Sequence, residues 1–386
     1  RDADIPILGV FLGRRRGLRI TGVLPHFVAR EDLFDPDFLW RYWRSPWLVL
    51  PRLLSPAIPL ARILELFQAH PIHRIPEQSL AVVLGDLRRA LGDRALGSVL
   101  NRWWAPRFRA AGADLAAPVS RLLAAESRYA DLLGGGWGHR RLDLATFREF
   151  KPGERERIAA HLAVFARALA AGEAVMIAPE GANSPDGFFQ RPRAGARWIA
   201  KQGGDELVVL PIGLAYDPAA GGRSRVFVHA GPAFRAGDHA GRREFDDAAA
   251  CAILRATTLT GSHLAAHLVL RARAGEAMSA IEAGERIGNF ASALAAAGLR
   301  VAADAGAELE SRLGWFVGAG LLARRDGSFV RTQAGEPAPG RENRAALAAY
   351  LRNELASVVS LAPGLAQEQG LPAPSYRPQS APSGLV

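Results

Sequence analysis

The sequence predicts an α/β fold: a mixed β-sheet flanked by helices, followed by an all-helical C-terminal domain. Two short apolar β-forming runs, 175–178 and 208–211, each end in a proline-bearing segment, with a Gly-rich, Arg-bearing loop and a helix-like stretch between them. That order is a strand–loop–helix–strand unit with its polar residues at the strand end, where open α/β sheets place ligands. After Gly231-Pro232 the composition changes, and from Arg243 to about Leu361 the chain is alanine-rich with helical periodicity. The expected organisation is therefore an α/β domain over 1–235 with a helical Arg/Trp-rich insertion at about 77–150, a helical domain over 240–362, and a disordered tail over 363–386.

Taken in order, 5–12 is an apolar run ahead of the basic cluster Arg14-Arg15-Arg16, and 18–24 reads as a strand. Asp35-Pro36 starts a helix carrying Phe38, Leu39, Tyr42 and Trp43 at helical spacing. Prolines break 51–67 into a packed or interfacial helix pair. The insertion contains Arg102-Trp103-Trp104-Ala105-Pro106-Arg107-Phe108-Arg109 and a Gly-rich turn at 134–138. Mixed arginine and tryptophan suits an anionic membrane interface, and equally a helical hairpin whose tryptophans are core. Ile158, Leu162, Phe165 and Leu169 mark a helix over 154–171 with Gly172 as its stop, and 321–330 reads as a short hairpin. The tail is rich in Pro, Ser, Gln and Gly.

With 386 residues, 49% of them hydrophobic, the chain can bury a large core. Its net charge of +10 comes almost wholly from arginine, which fits GC-rich codon usage as well as anionic partners. The single cysteine, Cys251, excludes an intramolecular disulfide and a cysteine-based zinc cluster, and suggests a reducing compartment. The greasiest stretch, 47–67, is interrupted by Arg52, Arg62, Glu65 and three prolines, so it does not read as a membrane span. The chain does not begin with methionine and has no signal-peptide pattern, which leaves open an anchor upstream of Arg1. Nucleophile-elbow, Walker, dinucleotide and zinc-protease patterns are absent, and neither a metal nor a cofactor is expected.

Met176-Ile177-Ala178-Pro179-Glu180-Gly181-Ala182-Asn183-Ser184-Pro185-Asp186-Gly187, then Arg191-Pro192-Arg193-Ala194-Gly195-Ala196, then Val208-Val209-Leu210-Pro211 carry a resemblance. They resemble the motifs of the glycerolipid acyltransferase family, which acylates glycerol 3-phosphate and lysophosphatidic acid. His26-Phe27-Val28-Ala29-Arg30-Glu31 is similar to that family's His-x-x-x-x-Asp motif, with Glu31 where the family has aspartate and Asp32 beside it. Ala69-His70-Pro71-Ile72-His73-Arg74 resembles its second motif through the terminal arginine. The resemblance implies His26 as general base, oriented by Glu31 or Asp32. It also implies an acceptor site made by Arg74, Glu180, Gly181, Ser184, Arg191, Arg193 and Pro211, with Arg191 or Arg193 supplying the charge missing at Asn183. The implied reaction moves a fatty acyl group from acyl-CoA or acyl-carrier protein to a glycerophosphate hydroxyl, in the cytoplasm at the inner face of the cell membrane, with no nucleic acid involved. The alternative is a catalytically silent relative that binds lipid or a protein partner.

Overall fold

The computed structural model describes residues 14–16, 19–21, 25–30, 62, 64–65, 68–72, 78–134, 136–181, 184–221, 224–340 and 343–379. The chain is mixed α/β, with small sheets and thirteen α-helices among these residues. No described helix is long and apolar enough to cross a membrane. Near the amino end, Arg14–Arg16 (β1) pairs antiparallel with Arg19–Thr21 (β2), so the strand expected over 18–24 is half of a short arginine-bearing ribbon. The helix expected from Asp35-Pro36 lies outside the described residues, as does most of 51–67. The chain divides into two compact units, Gly22–Met176 and a second made of Arg1–Thr21 with Ile177–Val386.

The first unit contains a parallel three-stranded sheet in which His26–Arg30 (β3) lies between Ala69–Ile72 (β4) and Val175–Met176 (β5). Parallel neighbours need long crossovers, and the insertion supplies the one from β4 to β5. Its first helix, Leu80–Leu91 (α1), starts at Ser79, whose Oγ accepts the Val82 amide. Leu80, Val83, Leu84 and Leu87 then recur at helical spacing and are buried. Three short helices, Leu96–Val99 (α2), Ala105–Ala110 (α3) and Val119–Ala124 (α4), and one turn of helix at Ala130–Leu133 (α5) close over that face, adding Val99, Phe108, Val119 and Leu133 to one core. The last helix, Leu144–Ala170 (α6), is 27 residues long and begins ten residues before the expected 154. Asp143 explains the early start, because its carboxylate caps Ala145 and Thr146 and Pro152 is carried within the helix. Gly172, at φ +76°, provides the expected stop.

In the second unit, Val208–Val209 (β6) pairs with Phe234–Arg235 (β9), and Ile212–Asp217 (β7) pairs with Arg225–Ala230 (β8), both antiparallel. The expected adjacency of 175–178 and 208–211 is thus not made: β5 and β6 pair in different sheets. The helices of this unit are Ala194–Gln202 (α7), Arg242–Ala256 (α8), Gly261–Arg271 (α9), Ala280–Ala296 (α10), Leu309–Gly318 (α11), Arg344–Val359 (α12) and Pro363–Glu368 (α13), of which α8 and α9 pack against β7. The main core joins Ala219 from the β7–β8 loop with Leu254, Leu264, Leu294, Phe316 and Leu355, and Phe189 and Phe227 pack against it. The expected break at 235–240 therefore does not exist as a core boundary. Nor is the carboxyl-terminal half all-helical, since Leu322–Arg325 (β11), Ser328–Arg331 (β12) and Ala277–Met278 (β10) form a three-stranded sheet. Within the tail expected to be disordered over 363–386, residues 363–368 form α13 and Tyr376 donates to Asp247 Oδ1 at 2.5 Å.

Candidate active site

His26 is the first residue of β3 and its side chain is 15% exposed. Its Nε2 lies 2.7 Å from Glu173 Oε2, and its Nδ1 lies 2.7 Å from His70 Nε2. Strand register produces this meeting. His26 is paired with Val175, two residues beyond Glu173, while His70 is paired with Val28, which shares a face of β3 with His26. The two imidazoles stack at a centroid distance of 4.9 Å and an interplanar angle of 15°, and Phe165 of α6 meets His70 edge-on at 5.7 Å. Burial, reinforced by His26, lowers the His70 pKa, which favours its neutral form. A carboxylate only accepts, so Nε2 of His26 carries a proton toward Glu173. In the neutral pair His26 Nδ1 then accepts from His70 Nε2. A carboxylate–imidazole–imidazole chain of this kind fixes one tautomer and can hold or pass a proton. The His26 nitrogens face different partners, and among the described residues no group of three His, Cys, Asp or Glu converges to hold a metal ion.

Of the other residues singled out in the sequence, Glu31, Asp32 and Arg74 lie outside the described residues. The carboxylate that meets His26 among the described residues is Glu173, which sequence spacing does not reveal because it is 147 residues away. Its one sequence signal is position, directly after the helix-stop Gly172 and before β5.

The loop from Pro179 to Arg193 brings Glu180, Gly181 and Arg193 together and closes on itself. Glu180 Oε2 accepts the Gln190 amide at 2.7 Å, the Arg193 amide donates to Pro179 O at 2.7 Å, and Arg193 Nε donates to Glu180 O at 3.2 Å. Gly181 has φ +67°, and a Cβ there would come within 2.7 Å of Arg193 Cγ, so both conformation and space require glycine. The guanidinium ends of Arg191 and Arg193 belong to exposed residues, and among the described residues neither has a carboxylate within ion-pair distance.

Ser184 and Pro211 are held within the fold. Ser184 is buried, with Oγ donating to Asp186 Oδ1 and accepting the Gly187 amide, both at 2.9 Å. Pro211 is buried between β6 and β7, and its carbonyl accepts the Gly231 amide. Two residues of α12 unforeseen from the sequence hold this loop: Asn353 Nδ2 donates to Asp186 O and Ser357 Oγ accepts the Phe189 amide, each at 2.9 Å. No family model, curated protein or solved structure matches the chain.

Proposed function

We propose that the chain is an acyltransferase that moves a fatty acyl group from acyl-CoA or acyl-carrier protein to a hydroxyl of glycerol 3-phosphate or lysophosphatidic acid. The observation that carries this reading is the Glu173–His26–His70 chain, because alcohol acylation needs a neutral base whose tautomer is fixed by a carboxylate. Glu173 holds Nε2–H of His26 and leaves the Nδ1 lone pair for the proton of the attacking hydroxyl. That proton arrives directly when the hydroxyl displaces His70, or through the His70 ring. The alkoxide-like oxygen bonds to the thioester carbonyl, the C–S bond breaks, and the thiolate takes up the proton held by the histidine pair. Arg193, exposed and without a carboxylate partner among the described residues, offers a guanidinium fork suited to a phosphate, with Arg191 beside it.

A second reading, a catalytically silent relative that binds lipid or a partner, is favoured by the Glu180 carboxylate being spent on its own loop and by the separate sheets of β5 and β6. Release of free thiol from acyl-CoA decides between them. Acceptor-dependent release that falls 10²- to 10⁴-fold in His26→Ala supports the first reading. No release with either acceptor, from protein that folds normally, leaves the second.

A further inference from the structure

Four guanidiniums stack on three indoles in the unit formed by 22–176. Arg102 Cζ lies 4.9 Å from the centre of Trp103, Arg107 and Arg141 lie 4.8 and 4.2 Å from Trp104, and Arg140 lies 3.9 Å from Trp137. Asn101 ties the two contributing segments into one surface. Its backbone amide donates to Arg141 O at 2.9 Å, its Nδ2 donates to Arg140 O at 2.8 Å, and its Oδ1 accepts the amides of Trp103 and Trp104. Arg141 is anchored from behind by donating to the carbonyls of Leu132 and Gly134 at 2.7 and 2.9 Å.

Two features set this surface apart from a helical hairpin with core tryptophans. Trp103 is 69% exposed and Trp137 42% exposed, although indole is the side chain with most to gain from burial. Trp137 is also held in the left-handed region at φ +64°, a costly conformation for a bulky residue. Its neighbour Gly138 packs against the start of α1, where a Cβ would lie 2.6 Å from Ser79 O. Among the described residues, the arginines of this unit that pair with carboxylates are Arg89, Arg94 and Arg157, and none of the four stacked arginines has a carboxylate partner. The fold thus presents indole at the surface at a cost in backbone strain, beside arginines that no carboxylate among the described residues neutralises.

We propose that this face docks on an anionic lipid bilayer. Guanidiniums there meet lipid phosphates, while the exposed indoles sit at the boundary between headgroups and hydrocarbon. Single-stranded nucleic acid fits less well, because it stacks bases on free aromatic faces and here guanidiniums already lie over the rings. The inference rests on the geometry of this surface and not on the chemistry of His26.

The test is co-sedimentation of the full chain with phosphatidylcholine vesicles, with and without phosphatidylserine. Binding is expected only to the anionic vesicles and weakens as salt rises. Trp103→Ala with Trp137→Ala lowers it tenfold or more, and Arg102→Glu with Arg140→Glu abolishes it. Arg325→Glu, an exposed arginine of the other unit, leaves it unchanged. Circular dichroism checks that each variant folds. Equal binding to both vesicle types, no binding to either, or no loss in the tryptophan and arginine variants overturns the proposal. So does binding to a DNA or RNA oligonucleotide without vesicle binding, which assigns the face to nucleic acid instead. Acyl transfer to soluble glycerol 3-phosphate is expected to be unchanged in Arg102→Glu with Arg140→Glu, so failure of docking and failure of the acyltransferase reading are separable.

Discussion

Removing the Arg312 guanidinium is expected to unravel the centre of the carboxyl-terminal unit. Arg312 on α11 and Asp217 at the end of β7 are both fully buried and paired through two hydrogen bonds, Nη1–Oδ1 at 2.6 Å and Nη2–Oδ2 at 2.9 Å. Asp217 also accepts the Ser262 amide at 3.1 Å and the Ser262 hydroxyl, while Arg312 Nε donates to Ala307 O at 3.0 Å. Burial alone would raise the Asp217 carboxyl, yet the hydrogen bonds from Arg312 and Ser262 and the Arg312 charge hold it below its ordinary value. With charge centres about 4 Å apart and an effective dielectric of about 20, the attraction is about 4 kcal/mol. Arg312→Met leaves a buried carboxylate uncompensated and should cost about 3–5 kcal/mol, whereas Arg312→Met with Asp217→Leu should recover most of that loss. Two-unit proteins need not unfold in one step, so the assay is amide exchange within 212–217 and 261–271 as urea is raised. A loss under about 1 kcal/mol in the single variant, or no recovery in the double, would refute the argument that this pair is held by mutual compensation.

Other expectations concern single residues. Burial, followed by the charges of Arg271 and Arg352, pushes His267 down from 6.5 to about 4. It therefore contributes about 3 kcal/mol of stability that is fully present above pH 6.5 and lost as pH falls toward 4; unfolding free energies measured across that window should slope in the native chain and flatten in His267→Leu. Gly187→Ala should destabilise by at least about 1–3 kcal/mol, because φ is +90° and a Cβ would lie 2.3 Å from Tyr350 O; an unchanged urea midpoint would contradict this. Arg193→Ala should raise the acceptor KM about ten- to a hundredfold and leave the donor KM unchanged, and equal effects on both would mark Arg193 as a surface charge with no phosphate contact.

Elements whose signal is local were legible in the sequence. Periodicity and Gly172 marked α6, the run 321–330 read as the hairpin that β11 and β12 form, and Val226-Phe227-Val228 lies in β8. What stayed hidden depends on pairing across long separations. No property of Val175 or Val208 states which strand each will join, and the two join different sheets. Likewise nothing in α12 announces that Asn353 and Ser357 will grip a loop more than 160 residues earlier. The Pro-rich tail misled because composition measures what a segment can bury alone. Tyr376 is ordered by Asp247, a partner that composition does not register.

The histidine site shows the same physics at a single residue. His26 opens an extended strand whose last residue lies about 13 Å further along. A side chain at the start of a strand finds partners across the ladder, at neighbouring register positions about 4.8 Å away, before it finds them along its own chain. Those neighbours are β4 and the entry to β5, which is why His70 and Glu173 meet the ring. The histidine was visible in the sequence as a residue type, but its meeting with Glu173 is a consequence of parallel strand order, which only the fold could supply.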